Sequence, residues 1–111
     1  MKKEQLRQYR SIKEEICQIQ RRIKELEGMG DHPSVIQPLR DLYLLRLQEL
    51  IDLQLNIEQA IASLTSTERE LMRLRYIDGA DWTEVAATIH YEWTQTHRIH
   101  ARALAKISTM E

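Results

Sequence analysis

The run His90–Leu104, HYEWTQTHRIHARAL, gathers the side chains of this chain best suited to chemistry. Its apolar residues recur at helical spacing, and the opposite face carries Trp93, Thr94, His97, Arg98 and Arg102. Such a face is either merely solvated or it recognises something. His97 and His100 stand three apart on one helix, a spacing compatible with a metal ion, but only His90 is near enough in sequence to add a third ligand. No metal site is expected on that basis. No glycine-rich phosphate loop, nucleophile–base arrangement or pair of pocket carboxylates can be argued, so the sequence supports neither an enzymatic role nor a cofactor.

The elements that must position this helix follow from composition. The chain has 111 residues, 42% of them hydrophobic and 30% charged, with three glycines, two prolines and no phenylalanine. That length holds one domain, or a small domain with a helical extension, and the balance predicts an all-α protein. No stretch is apolar for long enough to span a bilayer, and MKKEQLRQYR opens no signal-peptide core, so a cytoplasmic protein is expected. Cys17 is the single cysteine and has no partner for a disulfide or a zinc motif; it reads as a helix-surface or boundary residue. The net charge of −1 gives no global basic signature. Residues 1–64 hold ten basic and ten acidic side chains, and residues 65–111 hold six and seven, so nucleic-acid binding would have to come from a local patch.

From Glu4 to Leu26, Tyr9, Ile12, Ile16, Ile19, Ile23 and Leu26 alternate at spacings of three and four, which is an a/d seam asking for a facing helix. EGMGDHPS then breaks the helix, with Gly28 well placed for a left-handed residue just past its end. A short irregular turn over Ser34–Gln37 is predicted to lead into a helix starting near Pro38. That helix is leucine-rich: Tyr43, Leu47, Leu50, Ile57, Ile61 and Leu64 form one stripe, interrupted by Gln54. Leu42, Leu44, Leu45, Ile51, Leu53 and Leu55 fall outside it, so the helix needs cover from more than one direction. The first helix supplies one side as an antiparallel, coiled-coil-like hairpin. The rest is covered by a second subunit, making a homodimer, or by the C-terminal helices folding back; the dimer is the reading preferred.

After Leu64 come shorter helices. Thr65 or Ser66 is an N-cap with Glu68 or Glu70 completing a capping box, and Gly79 ends that helix. Asp81 caps the next with Glu84 at capping-box spacing, HYE makes a corner, and WTQTHRIHARALAKI forms the last helix. The corner meets the packing demands of a helix-turn-helix: Val85, Ile89, Tyr91 and Ile99 as apolar contacts, Ala86 as the small residue, and His90 in the turn position where positive φ is wanted. Thr96 occupies an inner position where valine or isoleucine is expected. Trp82, Tyr76 and Ile77 read as core, and the arginine-rich run Arg69–Arg75 as a solvated face at least as readily as a phosphate clamp.

Four pieces in order, LTSTER (64–69), LRYIDG (74–79), WTEVA (82–86) and RIHARAL (98–104), resemble region 4 of bacterial sigma factors. More closely, they resemble small sigma-region-4-like transcriptional regulators encoded by phages and prophages of Gram-positive bacteria. The resemblance covers about the last 45 residues. It implies a three-helix helix-turn-helix DNA-binding domain over 65–111, following the helical hairpin over 1–64 that apolar spacing assigns to dimerisation; that hairpin resembles the family only in its general helical character. The resemblance also implies that the last helix enters the major groove of double-stranded DNA, with Trp93, Thr94, His97 and Arg98 facing the bases and Arg102 further along. In that role Arg98 would pair with a guanine, Thr94 would meet a thymine methyl or a polar base edge, and His97 would donate to a base or phosphate. Arg102, Arg73 and Arg75 would hold phosphates. Two residues depart from the pattern. Glu92 stands where Ser or Thr usually caps the helix, and Trp93 stands where a basic residue is common, leaving Trp93 either to contact DNA or to cover Tyr91 or Val85. The expected function is sequence-specific promoter binding by a transcription regulator. The alternative is a sigma-like protein-interaction module that binds RNA polymerase or a regulator without strong DNA binding.

Overall fold

A computed structural model of the chain describes residues 1–30 and 32–110. It is all-helical: α1 (Lys3–Arg7), α2 (Tyr9–Glu27), α3 (Pro33–Ala62), α4 (Ser66–Met72), a π-helical turn over Arg73–Ile77, α5 (Trp82–Ile89) and α6 (Trp93–Ser108). Two compact units divide it. One holds residues 11–55; the other joins residues 1–10 to residues 56–111. The sequence boundary drawn at 64/65 follows a helix end, whereas the compact units divide inside α2 and α3.

In the unit over 11–55, Ile12, Ile16, Ile19 and Ile23 of α2 are buried along the expected seam, as is Leu50 of α3. The two helices run antiparallel, since Arg46 pairs with Glu15 at 2.8 Å while Arg40 lies 3.7 Å from Glu27. These pairs are solvent-exposed and weak, so the isoleucine seam carries the packing. Cys17 is exposed on α2. Val35, Leu39, Leu42, Leu44, Leu45, Ile51 and Leu55 are exposed along α3.

Two helix ends differ from expectation. α3 begins at Pro33, not near Pro38. The His32 carbonyl accepts from Val35 and Ile36 N–H, starting the first turn, and Pro33 takes the first helical position, where its missing N–H costs nothing. Pro38 then lies inside the helix and forfeits one backbone bond near its exposed start. Gly28 is not left-handed; α2 is closed by Gly28 and Met29 N–H bonding back three residues to Glu25 and Leu26. Asp31, one of the expected breakers, lies outside the described residues.

The second unit is built round Leu6, Ile57, Ile61, Leu71, Met72, Val85, Ile99 and Ile107, all almost fully buried. Burying each such side chain contributes roughly 1.5–3 kcal/mol before entropy is counted. Leu6 and Tyr9 bring the N-terminal residues into this core, and the Tyr9 hydroxyl donates to Glu58 at 2.6 Å. The Met1 ammonium donates to the Ile107 and Met110 carbonyls, so a positive charge sits at the carboxyl end of α6 where the helix dipole favours it. Among the described residues, no helix is long and apolar enough to cross a membrane.

Candidate nucleic-acid interface

The corner between α5 and α6 is made by His90, whose φ of 61° and ψ of 40° are left-handed. Tyr91 N–H bonds back to the Ala86 carbonyl at 3.2 Å, the six-to-one closure of a Schellman end, and Asp81 Oδ1 accepts Glu84 N–H at 2.8 Å at the other end of α5. Histidine stands in the turn position, as its tolerance of positive φ predicts. Thr96 is fully buried, and its hydroxyl donates to the Glu92 carbonyl at 2.9 Å. That bond answers the polar group at an inner position where an aliphatic residue was expected. Tyr91 is corrected: it is 44% exposed and not a packing residue of the corner. Inside α6, Ile99, Ala103 and Ile107 are buried, and Leu104 is half-buried.

The outer face of α6 brings Trp93, Thr94, His97, Arg98 and Ala101 round one shallow depression. Four of the seven expected DNA contacts therefore share a surface. Trp93 is 54% exposed and lies 4.6 Å from the His97 ring; the ring it covers is that of His97, not Tyr91 or Val85. His97 is held between Trp93 and Trp82, whose ring is 4.5 Å away, and its Nε2 is buried without a hydrogen-bond partner. A donation from that nitrogen to DNA would require the ring to move.

The other three arginines have partners inside the chain. Arg102 Nε lies 3.4 Å from Glu68 Oε2 and Arg73 lies 3.4 Å from Glu58. Arg75 packs its guanidinium 4.8 Å over the Trp82 ring and donates to the Ala80 carbonyl at 3.0 Å. Trp82 is half-buried and also meets His100 edge-on at 4.6 Å. Tyr76 is buried as expected, while Ile77 is only half-buried.

Glu68 is the carboxylate that fixes α6 to α4. It is 1% exposed, accepts Thr65 N–H at 3.1 Å and Thr65 hydroxyl at 2.6 Å, and takes Lys106 Nζ at 2.7 Å. Burial pushes its carboxyl upward, but Lys106 and Thr65 outweigh burial and hold it at about 2. Thr65, not Ser66, is the cap, and Glu68, not Glu70, its partner.

No family model, no curated protein and no solved structure matches the chain.

Sequence reasoning passed over a second group of cations. Lys3, Arg7, Arg10 and Arg75 line a cleft of about 310 Å³ together with Tyr76, Gly79, Trp82 and His100. Tyr76 and His100 share a hydrogen bond of 2.7 Å at its wall. Burial, then Lys3, His97, Arg75 and Arg7, lower His100 to about 4, so it is neutral at physiological pH. Burial likewise pushes the Tyr76 hydroxyl up, opposed by Arg7 and Arg75. The signal was present: residues 3, 7 and 10 stand at i, i+4 and i+7, with Leu6 and Tyr9 between them as the buried face. Residues 1–10 bring four cations and one carboxylate to a unit whose last 47 residues alone are near neutral. Among the described residues no group of three metal-ligating side chains gathers.

Proposed function

We propose that the chain is a sequence-specific DNA-binding transcriptional regulator of the phage or prophage type, reading promoter DNA with α6. The observation that carries this reading is the outward cluster of Trp93, Thr94, His97 and Arg98 on a helix held behind a left-handed turn at His90. Thr94 and Arg98 stand exposed where a major-groove helix reaches base edges, with Trp93 and His97 packed beside them, and Arg98 is the one that discriminates guanine. Arg73, Arg75 and Arg102 act first within the fold, and their phosphate contacts are made with partly committed side chains. Homodimerisation rests on the exposed apolar residues of α3 between Val35 and Leu55. A dimer carries two reading helices and takes two half-sites. The protein works in the cytoplasm, where its DNA is.

Selecting bound sequences from a random duplex pool with the purified chain tests the reading. A motif in two half-sites supports it, and recovery of unselected sequence contradicts it. Arg98→Ala should lose about 1–3 kcal/mol of discrimination at one base position in a shift assay at fixed salt. Unchanged affinity and preference would remove Arg98 from the reading face.

Exposure of Trp93 favours a second reading, in which α6 grips RNA polymerase or one of its regulators. Salt separates the two. Binding through phosphates falls steeply as salt rises, and an apolar protein contact does not.

A further inference from the structure

The cleft of Lys3, Arg7, Arg10 and Arg75 is unlike the other charged groups of the chain. Five other cations meet carboxylates: Arg102 and Lys106 meet Glu68, Arg73 meets Glu58, and Arg40 and Arg46 meet glutamates of α2 and α3. No carboxylate lines the cleft, and Lys3, Arg7 and Arg10 make no hydrogen bond or ion pair with the described residues. Four positive charges around one cavity repel one another, and no carboxylate among its lining residues offsets that cost. Their arrangement is nevertheless built. Leu6 and Tyr9 are buried and fix the face that carries Lys3, Arg7 and Arg10. Arg75 is held over Trp82 by its ring contact and by the Ala80 carbonyl. Gly79, at φ 74°, leaves room where a Cβ would come within 2.5 Å of an Arg10 guanidinium nitrogen. The positive φ is what favours glycine there, since the Arg10 tip is the end of a flexible side chain.

We propose that this cleft binds phosphate groups, with Arg7, Arg10 and Lys3 as the donors and Arg75 closing the wall beside Trp82. Guanidinium forks match phosphate oxygens in pairs, and the absence of carboxylates removes competition for them. A volume of about 310 Å³ lies at the small end of ligand cavities, roughly 300–1,000 Å³, and holds more than one phosphate. The phosphates come from the backbone of bound DNA or from a free phosphorylated molecule. The first source rests on the DNA-binding reading; the second does not.

The test uses the full chain and the double variant Arg7→Gln/Arg10→Gln, with Arg7→Lys/Arg10→Lys as the charge-keeping control. Circular dichroism and thermal melts check that each is folded. Inorganic pyrophosphate is titrated at constant ionic strength while the Trp82 indole N–H and Gly79 amide signals are followed by NMR. Saturable shifts are expected, weakened by about tenfold or more in the glutamine variant and by less in the lysine variant, which keeps the charge but loses the paired fork. In parallel, the salt slope of duplex-DNA binding is measured for both proteins. A slope falling by about 0.9 for each phosphate released assigns the site to the DNA backbone, with or without a pyrophosphate response. Pyrophosphate binding that the variant loses, with an unchanged slope, assigns it to a free phosphorylated ligand. No saturable shift in the native chain together with an unchanged DNA slope overturns the proposal. If the chain binds no DNA at all, the pyrophosphate arm still decides it, and only the regulator reading fails.

Discussion

Two basic clusters in the same unit use like residues to opposite ends. At Glu68, Arg102 and Lys106 converge on a carboxylate that is almost wholly buried, and Thr65 donates to it twice. In the cleft, Lys3, Arg7, Arg10 and Arg75 converge on no carboxylate at all. A buried acid makes the first cluster a structural joint, because Lys106 bonds Glu68 Oε1 and Arg102 lies 3.4 Å from Oε2, pairing a charge that would otherwise be desolvated alone. The second cluster gives the fold nothing of that kind. The presence or absence of one acid therefore separates a joint from a binding surface, where counting basic residues treats them alike. The same test sorts the arginines expected to touch DNA: Arg98 is on the outer face of α6, while Arg73 and Arg102 are paired with glutamates.

The sharpest way to break this contrast is to neutralise the acid. Glu68→Gln keeps the size and can still accept from Thr65, but it leaves Lys106 and Arg102 facing a neutral amide. Both cations are partly solvated, at 43% and 58% exposure, which limits the loss. A destabilisation of about 2 kcal/mol is expected in urea unfolding. The acid limb must agree. With a folded value of about 2 against the ordinary 4.5, Glu68 contributes stability that is complete above about 4.5 and is lost as pH falls through about 2. That limb should vanish in Glu68→Gln. A variant as stable as the native chain, with the limb intact, would deny that Glu68 is a joint.

His100 reports on the other cluster. Its ring is buried against Tyr76 and stays neutral down to about 4, whereas in the unfolded chain it titrates near 6.5. The unfolded state therefore binds more protons between those values. Stability should be flat above about 6.5 and fall toward 4 by no more than about 1.4 kcal/mol per pH unit for this one group. Burial is the largest cause and Lys3 the next, so Lys3→Gln should move the His100 titration, followed by ring-proton NMR, back toward 6.5 without reaching it. No movement would mean that the cleft cations do not act on His100.

How much of this was legible in the letters varies with the physics involved. Isoleucine and leucine periodicity gave the hairpin seam and the α3 stripe, because burial follows spacing directly. His90, Asp81 and Thr65 were legible because caps and left-handed turns demand particular side chains. The start of α3 was misplaced because two prolines competed for the first-turn position, and His32 backbone geometry favoured Pro33. Gly28 satisfied a left-handed ending that α2 did not use. On the reading helix, Thr94 and Arg98 lie outward as spacing requires, but the stacking of Trp93, His97 and Trp82 depends on α5 and could not be read from α6 alone. The cleft was missed for the same reason. Lys3, Arg7 and Arg10 lie more than sixty residues from Arg75 in sequence, and charge counted by halves hides a group that the fold assembles from both ends.

The smallest expected effect is the most discriminating. Arg7→Gln removes a cation that has no described partner and stands among three others. An arginine that served the fold would be missed on removal, as Glu68 is. An arginine held for a ligand should leave the free protein as stable as before, or more stable by up to about 0.5 kcal/mol as repulsion is relieved. The gain should be greatest at low ionic strength and fade with salt, because the repulsion crosses solvent that screens it. Adding pyrophosphate should then reverse the order, since a ligand that binds only the folded state stabilises the native chain and not the variant. Destabilisation by Arg7→Gln of about 1 kcal/mol or more in ligand-free buffer would move Arg7 into the same class as Arg102 and Lys106.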